Sequence, residues 1–391
     1  MAPPPAAPST AAPASKSARP LTDRIYNFNA GPSYLPDEVI RQIQEDIWNF
    51  QGSGMGIMEH SHRHKVYDAV IVEAEAEVRR IARIPANYRI LFMTGGSTSQ
   101  NFLAPMNLLR PGESAATIIT GYWGQRTYDD GVTAAHRVNA KMSLAATSAD
   151  QNHSYIPADA DLNYTGNETY IHFTSNNTVF GTQWHRLPPL PGSAFRVCDM
   201  CSDIYSRPVN VGDYGLIYAS AQKNLGTTGT TIAIIRDDLI ERADKALPRM
   251  LQYRTFAKDL SMPNTPPAFA IYTVGLMAKW ITAQGGLDAL SQRNTEKAHV
   301  IYDALDATAD FWHPHARRAD RSLMNIVFRA QGPRAEELDK QFIAEALRRR
   351  MDGTAGHRAT GGMRVSIYNA FPKAGCEALA ELIRDFAAKN G

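Results

Sequence analysis

A chain of 391 residues exceeds what one hydrophobic core usually fills, so two domains are expected. Lysine and arginine number 41 against 39 aspartates and glutamates, a net charge of +2, which excludes a strong field toward nucleic acid or a membrane surface and leaves small molecules as the expected partners. Three cysteines, Cys198, Cys201 and Cys376, are too few for a disulfide framework and indicate a reducing compartment, the cytoplasm.

The first 22 residues hold no acid and no long apolar run, and their Pro, Ala and Ser content predicts a disordered tail. Val39, Ile43 and Ile47, then Val70, Ala74, Val78 and Ile81, recur at helical spacing and predict two amphipathic helices before the first strand. RILFMT at 89–94 is a short apolar run stopped by Gly95 and Gly96; AATIITG, YIHFTS, FRVCD, YGLIYAS and TIAIIRD follow it. Strands this apolar are buried on both faces, which predicts an α/β layer around a mostly parallel sheet. After Asp237 the pattern turns to long helices over roughly 266–311, with QGG at 284–286 as a stop. LMNIVFRA, the charged helix AEELDKQFIAEALRRRM, MRVSIY and a last helix then predict a smaller α+β unit, with the boundary inside the long helices.

Several stretches carry the chemistry. In FMTGGSTSQN a strand leads through two glycines into hydroxylated residues that open a helix at about Ser97. Free backbone N–H groups and the positive end of the helix dipole suit a phosphate there, and an ordinary Gly turn with a Ser or Thr cap is the competing reading. FRVCD ends in Asp199, at the carboxyl edge of the sheet, where open α/β folds bind ligands. YGLIYASAQKNLGTTGTT places Lys223 between a buried strand and a run of Gly and Thr, where a long cationic side chain has little apolar reason to sit. An amine, an acid and a phosphate cup are the three parts that a pyridoxal phosphate site requires. Trp123 in GYWGQR would then stack on the pyridine ring; its other reading is a core aromatic.

In EHSHRHK, His60, His62 and His64 alternate around Arg63. One reading is a binuclear metal hydrolase with Lys223 as a carbamylated ligand; the other is anion binding, since Arg and His near a loop suit a phosphate or carboxylate substrate. GHRATGGMR supplies a second group of cations, His357, Arg358 and Arg364. The Cys198-x-x-Cys201 pair has no second pair to complete a metal site, and both thiols read as buried small residues.

Taken together, NFNAGPSYLP, SHR, GYWGQR, SRPVNVGDYGLIYASAQKN, SMPNTPPAFAIY and GHRATGGMRVSIYNA resemble the phosphoserine aminotransferases, class V fold-type I pyridoxal phosphate enzymes, over nearly everything except the tail. The resemblance implies a large domain at 37–285 with a mostly parallel seven-stranded sheet between helices. It also implies a small domain at 286–391, against which residues 23–36 pack. By the same resemblance Lys223 carries the Schiff base, Asp199 pairs with the pyridine nitrogen and Trp123 stacks on the ring. Ser97, Thr98 and Gln222 contact the cofactor phosphate, and Thr178 reaches the ring hydroxyl. Asn264 and Thr265 come from the neighbouring subunit of a homodimer. His62, Arg63, His357 and Arg358 hold the substrate's phosphate or side-chain carboxylate, and Arg364 its α-carboxylate. The implied reaction moves an amino group between glutamate and 3-phosphohydroxypyruvate in serine biosynthesis, with the phosphohydroxythreonine of pyridoxine biosynthesis as an open second substrate. No metal is expected.

Overall fold

The computed structural model describes residues 24–391; the reading of residues 1–22 as a tail lies outside them. Seven strands form the main sheet: β1 (Tyr88–Thr94), β2 (Ser114–Ile119), β3 (Lys141–Thr147), β4 (Glu168–Thr174), β5 (Phe195–Asp199), β6 (Tyr214–Ser220) and β7 (Thr230–Arg236). Their order across the sheet is β1-β7-β6-β5-β4-β2-β3. Six of them run in one direction, and β7 is antiparallel to both its neighbours. Every residue of β6 is buried, as a strand covered on both faces requires.

On one face, helices α1 (Asp37–Trp48), α2 (Lys65–Ile81) and α5 (Ala268–Ala283) cover the sheet, α2 through Val70, Ala74 and Val78 and α5 through Ile271, Val274 and Ala278. A side chain at Gly275 would press on Ala74, its Cβ 3.3 Å from the Ala74 Cβ, so a glycine lets these two helices approach closely. The other face is covered by α3 (Gln100–Leu108) and α4 (Tyr122–Arg137), with Leu103, Ala104 and Ala135 in that core.

A separate core holds Ile301, Leu305, Trp312, Phe328, Phe342, Ile383 and Phe386. It lies among α6 (Gly286–Ala307), a sheet of β8 (Trp312–Pro314), β9 (Asn325–Ala330) and β10 (Met363–Ser366), and helices α7 (Ala335–Arg348) and α8 (Lys373–Asn390). Phe28 belongs to this core, because Tyr26 and Asn27 pair in parallel with Met351 and Asp352.

One reading needs correction, and one strand of the sheet has no counterpart among the sequence patterns. Ile47 is 45% exposed; α1 turns Val39, Ile43 and Asp46 inward instead, and Asp46 accepts a hydrogen bond from the Tyr272 hydroxyl. Strand β3 carries no unbroken apolar run because only Ala145 of its seven residues is fully buried, whereas β1, the other edge of the sheet, is buried along most of its length.

Candidate active site

Five strand ends build one pocket at the carboxyl edge of the main sheet. The turn after β1 supplies Ser97 and Thr98, and the start of α4 after β2 supplies Trp123. Thr174 at the end of β4, with Asn176 and Thr178 beyond it, forms a wall. Asp199 closes β5, and Ser220 closes β6 ahead of Gln222 and Lys223. The amine, the acid and the cup therefore meet, although Ser97 and Lys223 are far apart in sequence.

Each part has a local cause. Gly95 adopts φ +89°, a left-handed turn that few other residues take, and its N–H donates to Gly229 O at 2.8 Å. Ser97 follows in a single 3-10 turn, Ser97–Ser99, so the α-helix itself begins three residues later than the sequence suggests. The Ser97 N–H donates to the Ser220 hydroxyl at 2.6 Å, fixing the cup against β6. Lys223 Nζ donates to Thr178 Oγ1 at 2.8 Å, which aims the amine into the pocket. The lysine turn is braced from behind: Ser33 N donates to Gln222 O at 3.0 Å, and the Ser33 hydroxyl donates to Lys223 O. Trp123 is 37% exposed, an aromatic at the mouth of the pocket and not in the core.

Asp199 is buried, its Oδ1 accepting from the Cys201 N–H at 2.9 Å, and no ion pair among the described residues includes it. Burial pushes its carboxyl above the usual range, while the Lys223 ammonium opposes that rise. A buried carboxylate short of a cation is suited to a protonated pyridine nitrogen. The Thr174 hydroxyl, also in the wall, is buried with no hydrogen-bond partner among the described residues. The donors, the acid and the unpaired hydroxyl fit pyridoxal phosphate.

The remaining predicted residues lie outside this pocket. Arg364 sits on β10, half-buried, with no side-chain hydrogen bond or ion pair among the described residues, and burial lowers its pKa. His357 packs its ring 5.5 Å from that of Tyr122, which lies edge-on to Trp123 at 5.2 Å, so the His357–Gly362 loop reaches the pocket mouth through two aromatics. Burial first, then Arg364 and Arg358, holds His357 below the usual histidine range. Asn264 Oδ1 is buried with no hydrogen-bond partner among the described residues, and Thr265 is exposed. His62 is half-buried and Arg63 exposed on the turn before α2.

Cys201 is a pocket residue, more than the buried filling that its place in the sequence suggests. Its sulfur lies 2.8 Å from Ser97 Oγ and accepts from the Ser220 N–H at 3.4 Å, so it bridges the cup to β6. Its position two residues after Asp199 is the signal that could have marked it. Asn101 and Asn176 also line the pocket, and no motif singles them out.

The family profile for class-V aminotransferases matches residues 25–379. The chain belongs to that family. Within it, the chain falls among the phosphoserine aminotransferases. It is 46% identical over 363 residues to the phosphoserine aminotransferase of Geobacillus kaustophilus, covering 93% of this chain and 98% of that protein. The solved phosphoserine aminotransferase from Bacillus circulans subsp. alkalophilus superposes with a TM-score of 0.89 at 41% identity, over 94% of this chain and 99% of that one. The pyridoxal phosphate-bound phosphoserine aminotransferase from Trichomonas vaginalis gives 0.87 at 31% identity, over 92% and 100%.

Membership in the class-V aminotransferases replaces the metal-hydrolase reading. The histidines have other work: His60 Nε2 lies 3.0 Å from Ser53 Oγ, and His64 caps α2 by accepting from the Val66 N–H. No group of three metal-ligating side chains occurs among the described residues. No helix among them is long and apolar enough to cross a membrane.

Proposed function

We propose that the chain transfers an amino group reversibly between L-glutamate and 3-phosphohydroxypyruvate, giving 2-oxoglutarate and O-phospho-L-serine, the transamination of serine biosynthesis. The observation that carries this reading is the convergence of Lys223 Nζ and the buried Asp199 carboxylate in one pocket beside the Ser97 cup. Pyridoxal 5′-phosphate, when bound, supplies the aldehyde that receives the amino group and a ring that draws electrons from the substrate Cα.

Lys223 Nζ would attach the cofactor and, once free, would act as base and acid in turn, moving a proton from Cα of glutamate to the cofactor C4′ and, in the second half-reaction, from C4′ to Cα of the product amino acid. Thr178 Oγ1, 2.8 Å from Nζ, orients it. Asp199 holds the proton on the ring nitrogen. Its burial makes that charge pair strong. Ser97, Thr98 and Gln222 hold the phosphate, and Trp123 covers the ring and excludes water.

Arg364 takes the substrate's α-carboxylate, an assignment supported by a half-buried guanidinium with no side-chain partner among the described residues. His357 and Arg358, with His62 and Arg63, take the terminal phosphate or carboxylate, which share a need for forked cationic donors. His62 and Arg63, like His357, Arg358 and Arg364, stand outside the pocket lining of their own chain, as groups that meet the substrate and not the cofactor. Asn264 and Thr265 are assigned to the neighbour's phosphate site in a homodimer. Asn264 Oδ1, buried with no partner among the described residues, supports that assembly, as do the exposed Trp48, Met55 and Met58 around the end of α1. We further assign residues 37–285 to the cofactor domain and 286–391 to the small domain.

Lys223→Ala tests the reading. The variant is expected to lose both half-reactions and the visible cofactor band while still binding the cofactor. A variant with cofactor bound and an unchanged absorbance spectrum refutes it.

A further inference from the structure

Lys297, on α6, is 3% exposed and outside the pocket, and no ion pair among the described residues includes it. An ammonium buried without a carboxylate is costly, and a methionine would fill the same space without that cost. Its three donors are nevertheless satisfied: Nζ donates to the carbonyls of Ile367 at 3.0 Å, Tyr368 at 2.7 Å and Asn369 at 3.5 Å. These three residues directly follow β10.

The segment 367–369 in turn grips the lysine turn from two sides. The Asn369 N–H donates to Asn224 Oδ1 at 3.0 Å, and Asn224 is the buried neighbour of Lys223. On the other side the Tyr368 hydroxyl donates to Ala30 O at 2.9 Å, at the head of the stretch whose Ser33 braces the carbonyls of Gln222 and Lys223. Gly31 fits between: a side chain there would place its Cβ 3.3 Å from the Cγ atoms of both Gln222 and Lys223. The same segment holds the turn that follows Asp199, since Asn369 Nδ2 donates to Tyr205 O at 2.8 Å. Asn294, one turn before Lys297 on α6, adds bonds to Ser206 O at 2.9 Å and to Asn369 Oδ1 at 2.8 Å.

We infer that Lys297 is a positioning residue for Lys223: its ammonium gathers the 367–369 carbonyls, and that segment fixes the Gln222–Asn224 turn through Asn224 and through Ala30–Ser33. This rests on Lys223 being the reacting amine. A single cation meeting three carbonyls sets their spacing more tightly than an apolar residue does, and proton transfer by Nζ is sensitive to misplacement of about 1 Å. Burial lowers the Lys297 ammonium to about 8; Cys376 opposes that fall, and Arg293 adds to it.

The test compares Lys297→Met, Asn224→Ala and the double variant as holoproteins, by hydrogen exchange and by single-turnover loss of the cofactor's visible absorbance with glutamate. Lys297→Met is expected to speed exchange in peptides covering 29–34 and 220–226 while leaving 88–94 unchanged. It should also slow the glutamate half-reaction by roughly 10- to 100-fold with little change in the half-saturating glutamate concentration. Asn224→Ala severs one arm without disturbing the ammonium, so faster exchange should be confined to 220–226. The double variant should be no slower than Lys297→Met alone. Wild-type exchange and rate in Lys297→Met overturn the inference, as does exchange accelerated equally in 88–94, which marks a merely structural role. If Lys297→Met does not fold, Asn224→Ala decides by the same two readouts. A wild-type protein inert to glutamate counts against the proposed function, and the exchange pattern still judges Lys297.

Discussion

Replacing Asp199 with Asn changes the charge of the pocket floor and little else. The asparagine carbonyl can still accept from the Cys201 N–H, which meets Asp199 Oδ1 at 2.9 Å, so the turn after β5 should hold its shape. In the protein without cofactor the substitution removes a carboxylate that burial already disfavours, and thermal stability should stay level or rise. With cofactor bound, a buried carboxylate facing a ring cation is lost. Breaking a buried pair costs about 3–5 kcal/mol, and each 1.36 kcal/mol is a factor of ten, so the glutamate half-reaction should slow by roughly 10²- to 10⁴-fold. Stopped-flow decay of the visible band after mixing with glutamate measures it directly. A rate within tenfold of wild type, in a folded variant with cofactor bound, would refute the role given to Asp199.

Other perturbations separate positioning from packing. Gly121→Ala puts a Cβ 2.6 Å from Asn177 Oδ1, whose amide donates at 3.0 Å to both Thr120 and Thr182; losing these two buried bonds should destabilise the fold by about 2–4 kcal/mol in urea unfolding, and a change under about 0.5 kcal/mol contradicts the packing. Arg364→Ala should raise the KM for glutamate by at least about tenfold with an unchanged or higher melting temperature, because it deletes a cation with no side-chain partner among the described residues; loss of stability without a change in KM contradicts the assignment. For Lys297, the pKa is about 8 in the folded protein against 10.5 for an unperturbed lysine, so between those values the unfolded chain binds more protons. Its contribution favours the fold fully above 10.5 and is lost as pH falls through about 8. Wild-type stability should therefore rise relative to Lys297→Met over that window, by roughly 3 kcal/mol, and parallel curves in the two proteins exclude a perturbed Lys297.

Much of this architecture was legible because buried parallel strands leave continuous apolar runs. FRVCD and YGLIYAS coincide with β5 and β6, and their ends deliver Asp199 and the turn of Lys223 to one edge. The edge strand β3 was not legible, since both its faces are left mostly uncovered and need no apolar run, unlike those of β1 at the opposite edge. Nor was the pairing of Tyr26–Asn27 with Met351–Asp352, because a two-residue strand has no period and its partner is remote. Lys223 announced itself by lacking a local reason to be there, whereas Cys201 and Lys297 did not. Small and amphipathic residues in apolar stretches look like filling until their hydrogen bonds are known. The cations at 62, 63, 357, 358 and 364 were legible as anion-binding chemistry, but their distribution over two loops and a strand edge depends on long-range contacts that spacing does not encode.

The most direct measurement follows the visible absorbance of the wild-type holoprotein through both halves of the reaction. Glutamate should bleach the band with release of 2-oxoglutarate, and 3-phosphohydroxypyruvate should then restore it with formation of phosphoserine, whereas unphosphorylated hydroxypyruvate should restore it poorly. A band that glutamate leaves untouched, or that hydroxypyruvate restores as readily as its phosphorylated form, would contradict the account.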